Sequence, residues 1–517
     1  MNSQRPNTSR TAYAAKGSFY GFVGKGASLL ATFISRTVFI YVLGKYYLGV
    51  NGLYTEILSF LSFAELGFGS AMVFALYGPV ARGEEEKVKE LMYFYKWVYR
   101  IIALVILCFG LALMPFLQHI VRGAEGLTLF ELRLYFFIFL LNTVTTYFVI
   151  YKYSYLNALQ LTYITTNIET VTALVCVVIQ LVALVVSRSF LVYLVSNTAT
   201  LFLSRAAIAH YLNSRYPLLK ERPEHPLSRR ERNKIFTEVK GLAVHQFSNV
   251  AVHSTTSIII SVAPTLGVAM VGAVSNYNML MNAVNAIVII VFNSVVAGFG
   301  NLAVTADKNR FMRVFDEANF INFWVYGFCT VCFFVLLPPF IQLWIGEDFL
   351  IDELSLALIL VNFYFQGQCT IYNNARVAKG NFNMDKWWSL LQAIVNLVAS
   401  FIGAFTIGLV GVFLGMVLSR LMFVVTRPCS TYRFLFGESP ARYFRDLIAY
   451  GAAVLIAVFV SATVCSLLLH QITWLNLFAA ALLCVLISNA IFLLLFHRSK
   501  NMAACLRRIE GLLKGRG

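Results

Sequence analysis

Two cations lie inside the first long apolar stretch of the chain. Lys25 and Arg36 fall between residues 17 and 44, and this stretch is longer than the roughly 20 residues that a bilayer crossing needs. At about 100° per residue, their spacing places both side chains on one helix face, about 16 Å apart along the axis. A cation in hydrocarbon costs at least about 2.5 kcal/mol unless it meets water, a counter-ion or an anionic ligand. We therefore interpret this face as the wall of a polar cavity suited to an anion. The alternative is that Lys25 reaches the cytoplasmic surface and Arg36 only pairs with Glu56 or Glu65.

Three acidic residues lie in other apolar stretches. Glu56 and Glu65 belong to the second stretch, on opposite faces of a continuous helix, so only one of them can join the face of Arg36. We favour Glu65, which lies deeper, as the ion-pair partner or the site of a coupling ion. Glu169, in the fifth stretch, either couples to an ion or caps a local hydrogen bond.

Amides and imidazoles cluster on two later stretches. At helical periodicity each set falls on one face: His245, Asn249, His253 and Thr256 on the seventh stretch, and Asn278, Asn282, Asn285 and Asn293 on the eighth. We call these aligned polar side chains the ladder. A ladder of this kind is expected in a water-filled cavity, where it would contact a polar ligand, and equally at an interface where packed helices form hydrogen bonds.

The composition indicates an all-α, polytopic membrane protein. Of the 517 residues, 59% are apolar and only 13% are charged, which exceeds what one soluble core can bury. The net charge of +17 does not require a nucleic-acid partner, because the cations concentrate on one side of the predicted membrane. We place Lys45, Arg122, Arg133 and Arg188 outside, Lys25 and Arg36 in the membrane, and all other cations in the cytoplasm. The positive-inside rule then predicts a multi-pass protein with both termini cytoplasmic.

Apolar runs of at least 18 residues predict about 14 transmembrane helices. They lie near residues 17–44, 52–80, 94–118, 130–151, 163–187, 190–212, 240–263, 268–300, 318–340, 353–375, 386–408, 410–429, 447–469 and 474–496. A weak echo at an offset of 218 residues, Leu48-Gly49-Val50 against Leu266-Gly267-Val268, suggests an internal repeat. We expect a six-helix lobe at 1–212, a basic cytoplasmic linker at 213–240, a second six-helix lobe at 241–446, two added helices at 447–497 and an amphipathic cytoplasmic tail at 498–517.

Signatures of enzymes and of metal sites are missing from the sequence. It contains no close Asp pair of the glycosyltransferase type and no Gly-rich phosphate loop. Among the nine Cys, Cys329-x-x-Cys332 lies in an apolar stretch without His or further Cys at metal-ligand spacing. An integral-membrane polysaccharide polymerase or ligase would need a large outer loop with catalytic His or Arg, and the predicted outer loops are short. We therefore expect a protein that is not an enzyme and has no cofactor or metal, with Na⁺ or H⁺ as a candidate coupling ion.

The region from Arg36 onward resembles bacterial polysaccharide (Wzx-type, O-antigen) flippases of the multidrug/oligosaccharidyl-lipid/polysaccharide (MOP) exporter superfamily. The matching residues of the first, most specific block are Arg36-Thr37, Leu43-Gly44, Tyr47, Gly49, Asn51-Gly52-Leu53, Glu65-Leu66-Gly67-Phe68-Gly69, Ala71 and Leu76-Tyr77-Gly78-Pro79. Later matches are Gly300-Asn301, Ala378-Lys379-Gly380, Asp385-Lys386, Leu409-Val410-Gly411-Val412-Phe413-Leu414-Gly415 and Ser419-Arg420.

The resemblance implies two six-helix lobes in a V around a cationic cavity, and a role in lipopolysaccharide assembly. It implies export of an undecaprenyl-pyrophosphate-linked oligosaccharide across the bacterial inner membrane by alternating access, beside a polysaccharide polymerase and other assembly proteins. We expect a monomer in which Lys25 and Arg36 hold the pyrophosphate. The sugar hydroxyls would contact His253, Asn249, Asn278, Asn282 and Asn285. Glu65, Glu56 or Glu169 would form an ion pair or bind the coupling ion. The main alternative within the superfamily is a cation-coupled drug antiporter, in which cavity carboxylates should outnumber cations.

Overall fold

The computed structural model describes residues 10–65, 67–123, 126–305, 308–378 and 386–513. These residues are almost entirely helical and contain no strand, which confirms the all-α prediction. The α-helices, in chain order, are α1 Arg10–Leu61, α2 Phe68–Arg82, α3 Glu85–Leu113, α4 Leu117–Ile120, α5 Leu129–Thr146, α6 Ile150–Ala158, α7 Thr162–Ser187, α8 Phe190–Arg215, α9 Arg229–His253, α10 Thr256–Val262, α11 Gly267–Thr305, α12 Lys308–Ile345, α13 Glu353–Gln368, α14 Thr370–Ala378, α15 Lys386–Thr406, α16 Leu409–Thr431, α17 Ala441–Leu468, α18 Trp474–Phe496 and α19 Lys500–Leu513.

A kink at Gly44 divides α1 into two helical parts. Its φ of 79° and ψ of −173° are not helical, and a residue without Cβ adopts them at little cost. The first predicted stretch ends at this residue. The next part of α1 therefore starts directly after the kink, earlier than the predicted residue 52.

Among the described residues, 12 helical stretches are long and apolar enough to cross a membrane. The predicted second and seventh stretches are the two that do not appear as separate long helices, because each is interrupted. The second passes through a 3₁₀ turn, Ser62–Glu65, and through Gly67 at a φ of 81° before α2 begins. The seventh is divided between α9 and the short α10, which starts at Thr256.

The chain divides into two compact units, Met1–Val250 and Ala251–Gly517. In the first unit, Tyr54 is fully buried, donates a hydrogen bond to the Leu132 carbonyl at 2.9 Å and packs edge-on against Phe136. The predicted six-helix lobes and the linker at 213–240 stay a prediction.

The second unit contains a very close helical hairpin, α15 and α16. A Cβ placed on Gly411 would lie 2.1 Å from the carbonyl oxygen of Gly403. Ser400 also donates a hydrogen bond across the pair to the Val412 carbonyl at 2.9 Å. Small residues therefore bring the two backbones into direct contact, as is typical of packed membrane helices.

Candidate functional site

The helix break in the first unit presents a carboxylate. Glu65 ends the 3₁₀ turn, and the Tyr99 hydroxyl of α3 donates a hydrogen bond to its Oε1 at 2.9 Å. A Cβ on Gly69 would lie 2.8 Å from Oε1, so glycine is what allows the approach. Tyr99 is therefore the hydrogen-bond partner of Glu65 in this conformation. Because the helix is interrupted before Glu65, the expectation that Glu56 and Glu65 lie on opposite faces of one continuous helix does not apply.

Two further groups hold the break in place. The Tyr147 side chain, at the end of α5, lies beside the side chain of Ser62. The rings of Tyr147 and Tyr99 stack with their centroids 6.0 Å apart. The Glu65 carboxylate is thus positioned by side chains from α3, from the end of α5 and from the turn itself.

A cavity of about 640 Å³ opens at this break. Glu65, Tyr99, Glu169 and Gln246 contribute its polar groups, together with Ser and Asn side chains, and the described residues that line it include no Lys or Arg. Carboxylate, hydroxyl and amide oxygens without a neighbouring cation suit a monovalent cation or a proton. Among the described residues, no group of three or more His, Cys, Asp or Glu is arranged to hold a metal ion.

Glu169 also faces a second, smaller cavity of about 280 Å³ in the same unit. Arg205 of α8 lines this second cavity. Its Nη1 donates to both the carbonyl and the side-chain Oδ1 of Asn142, each at 2.8 Å. These bonds orient the guanidinium toward α5, so Arg205 ties two helices together.

Arg36 lies in the apolar part of α1, half-buried. It is eight residues from the kink at Gly44, or about 12 Å along the helix axis. Tyr193 of α8 is an electrostatic neighbour, and the Tyr193 ring packs against Phe39 with centroids 5.1 Å apart. Arg36 therefore lies inside a helical stretch that is long and apolar enough to cross a membrane, beside an aromatic cluster. Glu56, also on α1, is partly buried.

Several other predicted site residues lie in α9 and α11. The Oδ1 of Asn285 accepts a hydrogen bond from the Tyr326 hydroxyl at 2.9 Å, so this amide connects α11 to α12. Asn282 is exposed and Asn278 is partly buried. The side chains of Lys25, Asn249 and His253 lie outside the described part of the structure.

Two of the arginines that we placed in the cytoplasm, Arg205 and Arg420, lie inside helical stretches that are long and apolar enough to cross a membrane. Arg420 is only 6% exposed and donates to Asn362 Oδ1 at 3.1 Å. The signal was the one that identified Arg36, a lone cation inside an apolar run.

Solved structures of membrane transporters resemble the chain in fold. A structure of the lipid II flippase MurJ in an inward closed conformation aligns with a TM-score of 0.67 at 14% identity, over 93% of this chain and 99% of that chain. An inward-facing multidrug resistance MATE family transporter of the MOP superfamily aligns with a TM-score of 0.63 at 13% identity, over 78% of this chain and 94% of that chain. The chain has the fold of these transporters.

A mutant MATE transporter from Vibrio cholerae gives the same result, with a TM-score of 0.57 at 16% identity over 83% of this chain and 99% of that chain. No protein-family model and no curated protein matches the sequence. The likeness to MurJ and to MATE transporters therefore concerns the polytopic helical fold, and this agreement confirms the predicted fold class.

Proposed function

We propose that the chain is a flippase that exports an undecaprenyl-pyrophosphate-linked oligosaccharide across the bacterial inner membrane by alternating access. In this proposal Arg36, together with Lys25, binds the diphosphate, and the amides of α9 and α11 meet the sugar hydroxyls. The protein acts as a monomer with cytoplasmic termini, and the sugar units serve the synthesis of a surface polysaccharide such as O-antigen.

The position of Arg36 is the observation that carries the proposal. A half-buried guanidinium in an apolar membrane-spanning stretch, about 12 Å from the kink at Gly44, is costly unless it meets a polar or anionic group. A diphosphate supplies two charged acceptors, and attraction between opposite charges is stronger in a low-dielectric site than in water. The fold shared with a lipid II flippase supports a lipid-linked substrate.

Cation coupling fits the cavity at the break of the first unit. Glu65 and Glu169 place two carboxylates there, and no Lys or Arg lies among its described lining residues. Binding of Na⁺ or H⁺ at Glu65 would neutralise a partly buried charge and bias the helix break toward one of two arrangements.

The binding of three lipids tests the proposal. We expect the purified full chain to bind undecaprenyl pyrophosphate more tightly than undecaprenyl monophosphate, and both more tightly than undecaprenol, in native mass spectrometry. Arg36→Ala should weaken pyrophosphate binding at least about tenfold, the effect of losing one charge-assisted hydrogen bond. Arg122→Ala removes an exposed loop cation and should change nothing. Equal affinity for the three lipids would overturn the proposal.

The same carboxylate-lined cavity favours a second candidate, a cation-coupled drug antiporter. An organic cation would bind beside Glu65 and Glu169 in this cavity, whose described lining residues include no Lys or Arg. Resistance of expressing cells to cationic dyes, lost in Glu65→Gln and kept in Arg36→Ala, would favour this function. The flippase proposal predicts no such resistance in any variant.

A further inference from the structure

A third cavity, which shares no residue with the proposed transport site, lies in the second unit where α12, α17 and α19 meet. Its volume is about 980 Å³. Six cations line it: Arg310, Arg313, Arg442, Arg445, Lys500 and Arg507. Asp316 and Glu317 are the acids among its described lining residues. Cations therefore exceed acids by three to one in the described lining.

The ion pairs leave part of this positive charge unneutralised. Arg442 pairs with Asp316 at 2.9 Å, and Arg445 pairs with the neighbouring Asp446 at 3.1 Å. Arg313, Lys500 and Arg507 are exposed and form no ion pair with other residues in the described ranges. They come from two different helices and converge on one cavity, which suits a ligand with several anionic oxygens.

The surrounding helices place this cavity at the boundary between membrane and water. Two candidate membrane spans, α12 and α17, begin at the cavity, and α18 ends at Phe496, a few residues before Lys500 starts α19. The cation-rich ends of spans face the cytoplasm by the positive-inside rule. The tail helix α19 lies against α12, with Met502 only 8% exposed.

An apolar stripe continues from the cavity along α17. Ile448, Leu455 and Phe459 are 72%, 70% and 73% exposed. At about 100° per residue, all three fall within about 80° of Arg445 on the helix face. A soluble anion would use only the cations, whereas a lipid would place its headgroup among the cations and an acyl chain along this stripe.

We infer that this cavity binds the phosphate headgroup of an anionic phospholipid from the cytoplasmic leaflet and so fastens α19 to α12 and α17. Basic pockets between transmembrane helices on the cytoplasmic side are a recognised setting for such headgroups. The inference is independent of the transported substrate, because it uses no residue of the proposed transport site.

Native mass spectrometry of the full chain in detergent tests the inference, with phosphatidylglycerol as the probe and phosphatidylethanolamine as the zwitterionic reference. We expect tighter binding of phosphatidylglycerol. The triple variant Arg313→Gln/Lys500→Gln/Arg507→Gln should weaken that binding at least about tenfold, since each cation near an anionic lipid surface contributes. The matched triple variant Arg229→Gln/Arg230→Gln/Lys234→Gln removes the same charge from exposed positions of α9 and should stay within about twofold of the wild type.

Three results would overturn the inference. The first is unchanged phosphatidylglycerol binding in the first triple variant, and the second is an equal loss of that binding in both triple variants. The third is full displacement of the lipid by millimolar inorganic phosphate, which would indicate a site for a soluble anion. If the first triple variant unfolds, the single variant Arg507→Gln replaces it, because Arg507 is exposed on the tail helix. We expect this variant to bind phosphatidylglycerol about threefold more weakly than the wild type.

Discussion

Glycine allows a close approach in both units, but what it approaches differs. At Gly69 in the first unit, an added Cβ would lie 2.8 Å from Glu65 Oε1, the end of a flexible side chain. At Gly411 in the second unit, it would lie 2.1 Å from the Gly403 carbonyl oxygen, which is fixed backbone. The α15–α16 hairpin therefore has no room to adjust, whereas the carboxylate at the helix break can move. A movable carboxylate at a break is what a switching site requires, and a rigid hairpin is what a scaffold requires.

The largest expected effect is on the hairpin. Gly411→Ala forces apart two backbones and should lower the free energy of unfolding by about 3 kcal/mol, the upper range for overpacking. Gly451→Ala is the matched control, because a Cβ on that glycine of α17 meets nothing within 4 Å. Thermal unfolding in detergent measures both. Equal stability of the two variants would mean that the hairpin is more adjustable than its geometry indicates.

The next effect concerns the charge at the break. Glu65→Gln keeps the shape of the side chain and removes its charge, so we expect cation-dependent transport to fall at least about tenfold, while the protein stays folded. Initial transport rates at several Na⁺ concentrations and pH values measure it. Glu353→Gln, an exposed acid at the start of α13, is the control and should keep the wild-type rate. A wild-type rate in Glu65→Gln would remove Glu65 from the coupling role.

A smaller effect is expected from Gly69→Ala. The added methyl group displaces the Glu65 carboxylate by a few tenths of an ångström, so we expect about a threefold lower transport rate and a stability within about 1 kcal/mol of the wild type. Gly411→Ala should lower stability much more, because its added methyl group meets fixed backbone. Loss of folding in Gly69→Ala would erase the distinction between the two glycines.

The smallest effect is expected from Tyr99→Phe. It removes the hydroxyl that donates to Glu65 at 2.9 Å and leaves the ring stacked on Tyr147. One net hydrogen bond contributes about 1 kcal/mol, so stability should fall by about that amount and the half-saturating cation concentration should change about twofold. An unchanged cation dependence would show that the carboxylate does not need this donor.

The sequence predicted those features that depend on local chemistry. The end of the first stretch at Gly44 was predicted correctly, because an apolar run stopped at a residue that tolerates a φ of 79°. The break after Ser62 was not predicted, because Gly67, Phe68 and Gly69 are apolar or neutral and continue the hydropathy of a single span. Hydropathy reports composition and not the left-handed conformation of one glycine.

Contacts between distant elements were beyond sequence reasoning. Tyr99 donates a hydrogen bond to Glu65 although the two are 34 residues apart, and the sequence around each residue carries no pattern that predicts this contact. Asn285 fitted both a wet cavity and an interhelical bond, and only packing brought the Tyr326 hydroxyl to it. Arg205 and Arg420 lie inside the predicted stretches 190–212 and 410–429, but the positive-inside rule placed them in the cytoplasm with the loop cations.

Transport of a pyrophosphate-linked lipid tests the central claim most directly. Proteoliposomes containing the full chain and a fluorescent undecaprenyl-pyrophosphate oligosaccharide would be treated with a membrane-impermeant quencher, and the rate at which lipid appears in the outer leaflet would be measured. We expect transport by the wild type and by Arg122→Ala, and a loss of at least about tenfold in Arg36→Ala. Wild-type transport by Arg36→Ala, or equal transport of an undecaprenol-linked lipid without phosphate, would contradict the account.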